Sequence, residues 1–269
     1  MAATARETEA IVLDCFEHGE SDLIVIFLSR DAGKLSAIAK GAKRSKKRFV
    51  NKLELFSFLH ITYKTSPNGS LSFLSEAELH TSFLSIRQNY VLYTTASILR
   101  EFLLITIREG ETDDRLFRLS LWALHNIDQG LQPLAILALF LTNFYEIIGY
   151  RPDFTICNSC NSQTTINRRY SFDTTTGGLI CPDCSHQGQR LIRLSQGTIK
   201  MLRSAQVQPL ERLHRLKISG NILQESLSLL HDYGKQLFQR EIISWKLLQR
   251  QQPLNHNKKR IQVNGHLNT

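Results

Sequence analysis

Two C-x-x-C pairs, Cys157/Cys160 and Cys181/Cys184, stand with twenty residues between them. No other feature restricts the fold so tightly, because it ties two distant turns to one point in space. Each pair sets two thiolates on one side of a tight turn, and a hairpin between the pairs can bring four sulphurs together at the tetrahedral Zn–S distance of about 2.3 Å. The intervening RRYSFDTTTGGLI reads as that hairpin, with Gly177 and Gly178 at its turn. The favoured reading is one structural Zn2+ per chain in a closed four-thiolate site. Disulfides and a catalytic zinc are the alternatives, and four protein ligands leave a catalytic metal no open position for water. The fifth cysteine, Cys15, lies in an apolar run and reads as a small buried hydrophobe.

Before the cysteines the chain changes character once. Residues 1–80 break into short β-rich runs, Glu9 to Phe16, Asp22 to Ser29, Lys34 to Ala39, Leu53 to Tyr63 and Leu71 to Leu79, with RDAG and SPNGS as turns. Five short strands in that length suit a small closed barrel. From Ser85 the periods become helical: Ser85 to Arg108, then Arg115 to Ile127 behind the N-cap in GETDD, then a helix opened by Pro133 and closed by Gly149. Beyond the cysteines, Ser195 caps a short helix and SGNILQESL opens a long amphipathic one reaching about Gln249. The expected fold is α+β: a barrel over 1–80, a helical domain over 81–150 and 191–250, an inserted four-cysteine hairpin over 151–190, and a polar tail, 251–269, read as disordered.

Between the third and fourth expected strands lies KGAKRSKKRFVNK, Lys40 to Lys52, with seven cations and no acid. Over the whole chain 33 Lys and Arg face 24 Asp and Glu, a net charge of +9, which favours a polyanion as partner. Charge runs are often only solvated faces. Here the lack of acids, Phe49 inside the run as a stacking side chain, and the barrel type beside it favour nucleic-acid contact through Lys40, Lys43, Arg44, Lys46, Lys47 and Arg48. The strand aromatics Phe27, Phe56, Phe58, Tyr63 and Phe73 read as core before stacking platform. The start of the chain has no pattern of a secretory signal, and the most apolar run, Leu134 to Thr142, is too short for a bilayer, so a cytoplasmic protein is expected. No phosphate-binding glycine loop, zinc-protease helix or nucleophile elbow is present, and an enzyme is not expected.

These pieces together resemble the RecO family of bacterial recombination mediators. The resemblance runs through GESDLIVIFLSRDAGKLSAIAKGAKRSKKR (Gly19 to Arg48), LELFSFLHITYK, LSEAELHTSFLSIR, LTNFYEIIGYRPDFTICNSC and GGLICPDC, nearly the whole chain. It implies an N-terminal OB-fold β-barrel followed by an α-helical domain with the zinc hairpin inserted, binding of single- and double-stranded DNA, annealing of complementary strands, and a nucleoid-associated cytoplasmic location. It further implies RecR and the acidic C-terminal tail of single-strand binding protein as partners. The family's basic barrel positions carry over at Lys34, Lys40, Lys43 and Arg44; Lys46, Lys47 and Arg48 extend the same run. For the acidic tail, Arg100, Arg108, Arg115 and Arg118 are the expected cations, paired by helical spacing. An RNA-binding or transcription-associated zinc-ribbon module is the alternative function, and a zinc-dependent hydrolase a more distant one.

Overall fold

The computed structural model describes residues 5–65, 71–165, 168–186 and 191–251, the last without the side chains of 249–251. The expected SPNGS turn lies outside these residues, as does the expected tail apart from Gln251. β1 (Ala5–His18), β2 (Asp22–Ser29), β3 (Gly33–Ala39), β4 (Phe58–Lys64) and β5 (Ser72–Thr81) form a closed barrel in the order β1-β2-β3-β5-β4, with β4 returning to β1. Neighbouring strands are antiparallel except β3 and β5, whose parallel pairing of Ala37 with Ser72 and Ile38 with Phe73 closes the wall. This is an OB-like barrel. Alternation explains its interior: Val25, Phe27, Ala37, Ala39, Leu59, Ile61, Tyr63 and Leu74 point in and are buried.

The fourth strand begins at Phe58, later than the apolar alternation from Leu53 suggests. Phe56 has a positive φ of 70° and turns out of the strand path. Its ring is buried against Tyr93, centroids 5.6 Å apart, in the core shared with the helices. Leu53 instead joins the barrel core.

The helical part comprises α1 (Leu84–Gln88), α2 (Tyr90–Thr106), α3 (Asp114–Asp128), α4 (Pro133–Ile147), α5 (Gln196–Val207), α6 (Leu210–Leu213), α7 (Gly220–Phe238) and α8 (Ile243–Gln251). Two expected helices are each divided. Asn89 separates α1 from α2 because its side chain accepts from the N–H groups of Val91 and Leu92, a cap stronger than continuation. Gln239, at φ 51°, ends α7, and the Glu101 carboxylate accepts from the Ile243 and Ser244 N–H groups at 2.7 Å to start α8. Asp113 caps α3 and Ser195 caps α5, as the sequence suggests. The apolar helix α4 lies at the centre of the core.

Between α4 and α5 the chain forms a four-stranded sheet in the order β6-β8-β7-β9 from β6 (Asp153–Cys157), β7 (Tyr170–Asp173), β8 (Gly178–Ile180) and β9 (Leu191–Leu194). The expected hairpin is β7 with β8, and β9 adds a strand beyond it. Phe154 and Phe172 join this sheet to α7 through Tyr233.

Barrel and helices share one core, to which Ile11, Leu13 and Leu28 of the barrel contribute. Polar locks surround it. Arg100 of α2 donates to the Leu13 carbonyl and pairs with Asp14. Arg30 bridges Glu9 and Asp114 at 2.8 and 2.7 Å. Lys34 donates its backbone N–H to the Arg108 carbonyl at 3.2 Å, close to Gly33 at φ 64°, where a Cβ would strike the Glu111 carbonyl. Glycine is required there on both counts.

Candidate metal centre and nucleic-acid interface

β6 delivers the first knuckle. Cys157 ends the strand, its N–H donates to the Ser162 carbonyl at 2.8 Å, and the Asn161 N–H returns to the Cys157 carbonyl at 2.8 Å. Asn158 donates its N–H to the Leu179 carbonyl at 2.8 Å, which binds this turn to β8. The Asn158 side-chain carboxamide lies over Gly178, where a Cβ would overlap it unless that side chain moved. Pro182 opens a short 3₁₀ turn, Pro182–Cys184, that carries the second knuckle.

All four sulphurs lie within 4.8 Å of one another. A tetrahedral site with metal–sulphur bonds of about 2.3 Å has sulphur–sulphur edges of about 3.8 Å. The Cys160 and Cys181 sulphurs are 3.9 Å apart, so the donor set fits a metal ion. Local hydrogen bonds prepare the thiols unequally. The Ser162 hydroxyl and N–H bring Cys160 down to about 6. Burial raises Cys157, but the N–H groups of Cys160, Cys181 and Ser159 outweigh it and lower the thiol. At Cys184 the Ser159 hydroxyl draws the value down, yet hydrogen bonds shared with Cys181 and Cys160 push it up to about 12. Close-set thiolates repel one another, and a cation among them relieves that. Cys15 behaves otherwise: half-buried in β1, it is pushed up to about 11 chiefly by burial.

The basic run connects β3 to β4 at one end of the barrel. Lys40, Lys43, Arg44, Lys46, Lys47 and Arg48 are all exposed. Phe49 is not available for stacking, since it is only 3% exposed and plugs the barrel core with Ala42 and Leu53. Its burial holds the run in place from within, and the Ser45 hydroxyl accepts from its N–H at 3.1 Å. The Gly-Glu-x-Asp turn secures the other side: the Asp22 carboxylate accepts from the Gly41 N–H at 2.8 Å, which lowers its pKa, and Lys43 donates its N–H to the Ser21 carbonyl. Charge alone did not single out Asp22.

The cations divide into two groups. Lys43 pairs with Glu17 at 2.8 Å and Arg44 lies 3.7 Å from Glu20, whereas Lys40, Lys46, Lys47 and Arg48 enter no ion pair among the described residues. Lys52 donates to the Ala77 carbonyl and is tied to β5. Lys34 sits at the opposite end of β3, about 20 Å from Lys40 at roughly 3.3 Å per residue, and so does not belong to the same patch. Of the strand aromatics, Phe27, Phe56 and Tyr63 are buried, Phe58 is half-buried, and Phe73 is exposed beneath the Lys40 ammonium, 5.2 Å from its ring centroid.

The four expected arginines do not converge, and Arg108 is not on the helix of Arg100, because α2 ends at Thr106. Arg115 and Arg118 line a cleft of about 330 Å3 with Leu119, Ile147, Leu210 and Glu211. Arg108 lines a neighbouring cleft beside Phe238, and Arg100 is committed to Asp14 and the barrel. Arg118 is already paired with Glu211 at 3.0 Å and Arg115 with Asp113 at 2.7 Å. No helix among the described residues is long and apolar enough to cross a membrane.

Comparison with known proteins agrees with this architecture. The N-terminal domain of recombination protein O matches residues 1–83, and its C-terminal domain matches residues 87–246. The DNA repair protein RecO of Syntrophobacter fumaroxidans is 31% identical over 242 residues, covering 90% of this chain and 96% of that protein. That of Syntrophus aciditrophicus is 32% identical over 244 residues, covering 90% and 94%. With both domains matched in order along the barrel and the helices, the chain belongs to the RecO family of DNA repair proteins.

Proposed function

We propose that this chain is a non-enzymatic recombination mediator that binds DNA, anneals complementary single strands and, with RecR, helps to load recombinase onto strands coated with single-strand binding protein. The observation that carries it is the acid-free basic run anchored by Phe49 and Asp22 on the end of an OB-like barrel. Annealing needs two backbones neutralised together while base edges stay free to pair, which a cationic surface without base-specific pockets provides. The contact is centred on Lys40, Lys43, Arg44, Lys46, Lys47 and Arg48, with Lys34 as a separate contact for longer strands. Annealing of complementary oligonucleotides coated with single-strand binding protein, with and without RecR, is the test. No acceleration on DNA, or acceleration only on RNA, overturns the reading in favour of an RNA-binding module.

The metal is zinc, and its role is structural, because four thiolates complete the tetrahedron. Bound there, it would cross-link the two turns; Cys157, Cys160, Cys181 and Cys184 would hold it. The cleft beside Arg115 and Arg118 takes the acidic, apolar C-terminal peptide of single-strand binding protein, with the peptide's carboxylates displacing Glu211 and Asp113 and its apolar side chains reaching Leu119, Ile147 and Leu210. Arg108 flanks this site, and Arg100 supports it only through α2. Charge reversal at Arg115 and Arg118 abolishes peptide binding in fluorescence anisotropy if this is the site; unchanged affinity would place it elsewhere.

A further inference from the structure

The barrel register places Phe16 of β1 opposite Ile24 of β2, Ile24 opposite Ile38 of β3, and Ile38 opposite Phe73 of β5. Directly paired residues project from the same face of a sheet. Their neighbours Val25, Ala37 and Leu74 point into the barrel core and Cys15 packs against it, so these four point outward. They form one apolar line across four strands, spanning three strand spacings or about 14 Å. Phe16 is 48% and Phe73 40% exposed, and Ile24 and Ile38 belong to neither hydrophobic core. Farther along β2, Ile26 and Leu28 pack against the helices, and the Ser36 hydroxyl meets Glu109. The row is therefore the part of this wall that the helical half leaves bare.

Its rim selects an occupant. Lys40 follows Ile38 by two residues, holds its ammonium over the Phe73 ring, and opens the basic run. The acids at this end are engaged: Asp22 with the Gly41 N–H and the Ser21 hydroxyl, Glu17 with Lys43, Glu20 with Arg44. The uncompensated charge bordering the row is positive. Apolar rings next to unpaired cations match a chain of flat apolar faces joined by anions, which a single strand presents and a duplex, stacking its bases internally, does not.

We propose that Phe16, Ile24, Ile38 and Phe73 form a stacking platform for unpaired bases of a single strand whose phosphates lie on the basic run. The proposal rests on the reading of that run as a DNA contact and adds a preference for single strands. A base held by its face keeps its pairing edge free, which suits annealing.

The test compares the full-length protein with the Phe16→Ala/Phe73→Ala variant on three fluorescent ligands: a mixed-sequence single strand, an abasic single strand of equal length, and a duplex. Both rings are exposed, and circular dichroism together with a Phe16→Leu/Phe73→Leu variant controls for folding. Wild type should bind the base-bearing strand more tightly than the abasic one. The Ala variant should lose about tenfold or more on the base-bearing strand, in line with base–aromatic stacking, with abasic and duplex affinities and the salt slope unchanged. Equal wild-type affinity for base-bearing and abasic strands, or equal losses on all three ligands, overturns the platform while leaving the basic run as a phosphate contact. Unchanged DNA binding with lost self-association in sedimentation makes the row an interface between copies and also overturns it. Abasic binding that survives neutralisation of Lys46 and Lys47 with an unaltered salt slope instead points to failure of the underlying basic-run reading.

Discussion

Cys181 is buried, and its backbone N–H points at the Cys157 sulphur from 3.3 Å. A hydroxyl in its place is a poor ligand for zinc, and the second knuckle then loses its inner anchor. Structural zinc contributes on the order of 10 kcal/mol to the order of such modules, so Cys181→Ser should remove the metal and loosen the β6–β9 sheet while the barrel remains folded. Metal analysis and near-ultraviolet circular dichroism read this out; wild type purified without chelator and free of zinc would refute the assignment. Arg100 poses a different single-residue question. Its side chain is 23% exposed and that of its partner Asp14 19%, with the Leu13 carbonyl as a second acceptor. Removing a partly buried charged donor strands both acceptors, and Arg100→Ala should cost about 2 kcal/mol in urea unfolding. A loss of peptide binding with no loss of stability would instead return Arg100 to the partner site.

At the scale of elements, the basic run behaves as a folded part of the barrel, because Phe49 closes the barrel end with Leu53 and Ala42. Phe49→Ala should cost about 3 kcal/mol, in the range for buried aromatic truncation, and weaken DNA binding by freeing the cations, whereas Phe49→Leu should preserve most of both. Stability unchanged in Phe49→Ala would mean that the ring is not core. Here lies the limit of what was legible. Strand alternation, the Asp113 and Ser195 caps and the cysteine spacing are local signals, and they placed the barrel, the helix starts and the four-sulphur cluster. Phe49 within seven cations carries no local sign of burial; only closure of the barrel, a long-range event, decides it. The break after Gln239 is of the same kind, since the distant Glu101 carboxylate starts the next helix at Ile243 and Ser244; the break at Asn89 is local, an Asn side chain capping N–H groups two and three residues ahead, which helical periodicity alone overlooks. Arg115 and Arg118, three residues apart on α3, do share one cleft, but Arg100 turns to the barrel and Arg108 lies past the end of α2, because packing and helix termination, not spacing, decide which faces meet.

Across the whole molecule, a net charge of +9 says that a polyanion is welcome but not where it binds. Salt dependence can locate it, since each phosphate neutralised on a single strand adds about 0.7 to the slope of log affinity against log salt. Lys46 and Lys47 are exposed and unpaired among the described residues, and together they should contribute about 1.4. Lys43 and Arg44 must first leave Glu17 and Glu20, whose carboxylates then gather cations from solution, so their net release is smaller. Lys46→Ala/Lys47→Ala should therefore flatten the slope by about 1.4, and Lys43→Ala/Arg44→Ala by distinctly less, although both lower affinity. Losses should be alike on unrelated sequences, because phosphate contacts carry no base identity. Lys34→Ala, at the far end of β3, should leave the slope unchanged for an oligonucleotide too short to cover both ends and reduce it for a longer one. The experiment is a salt titration of fluorescent oligonucleotide binding with circular dichroism as the folding control. Slopes parallel to wild type in folded Lys46→Ala/Lys47→Ala protein would move the DNA from this end of the barrel to another surface, and equal flattening by the two double variants would mean that the Glu17 and Glu20 pairs do not persist in solution.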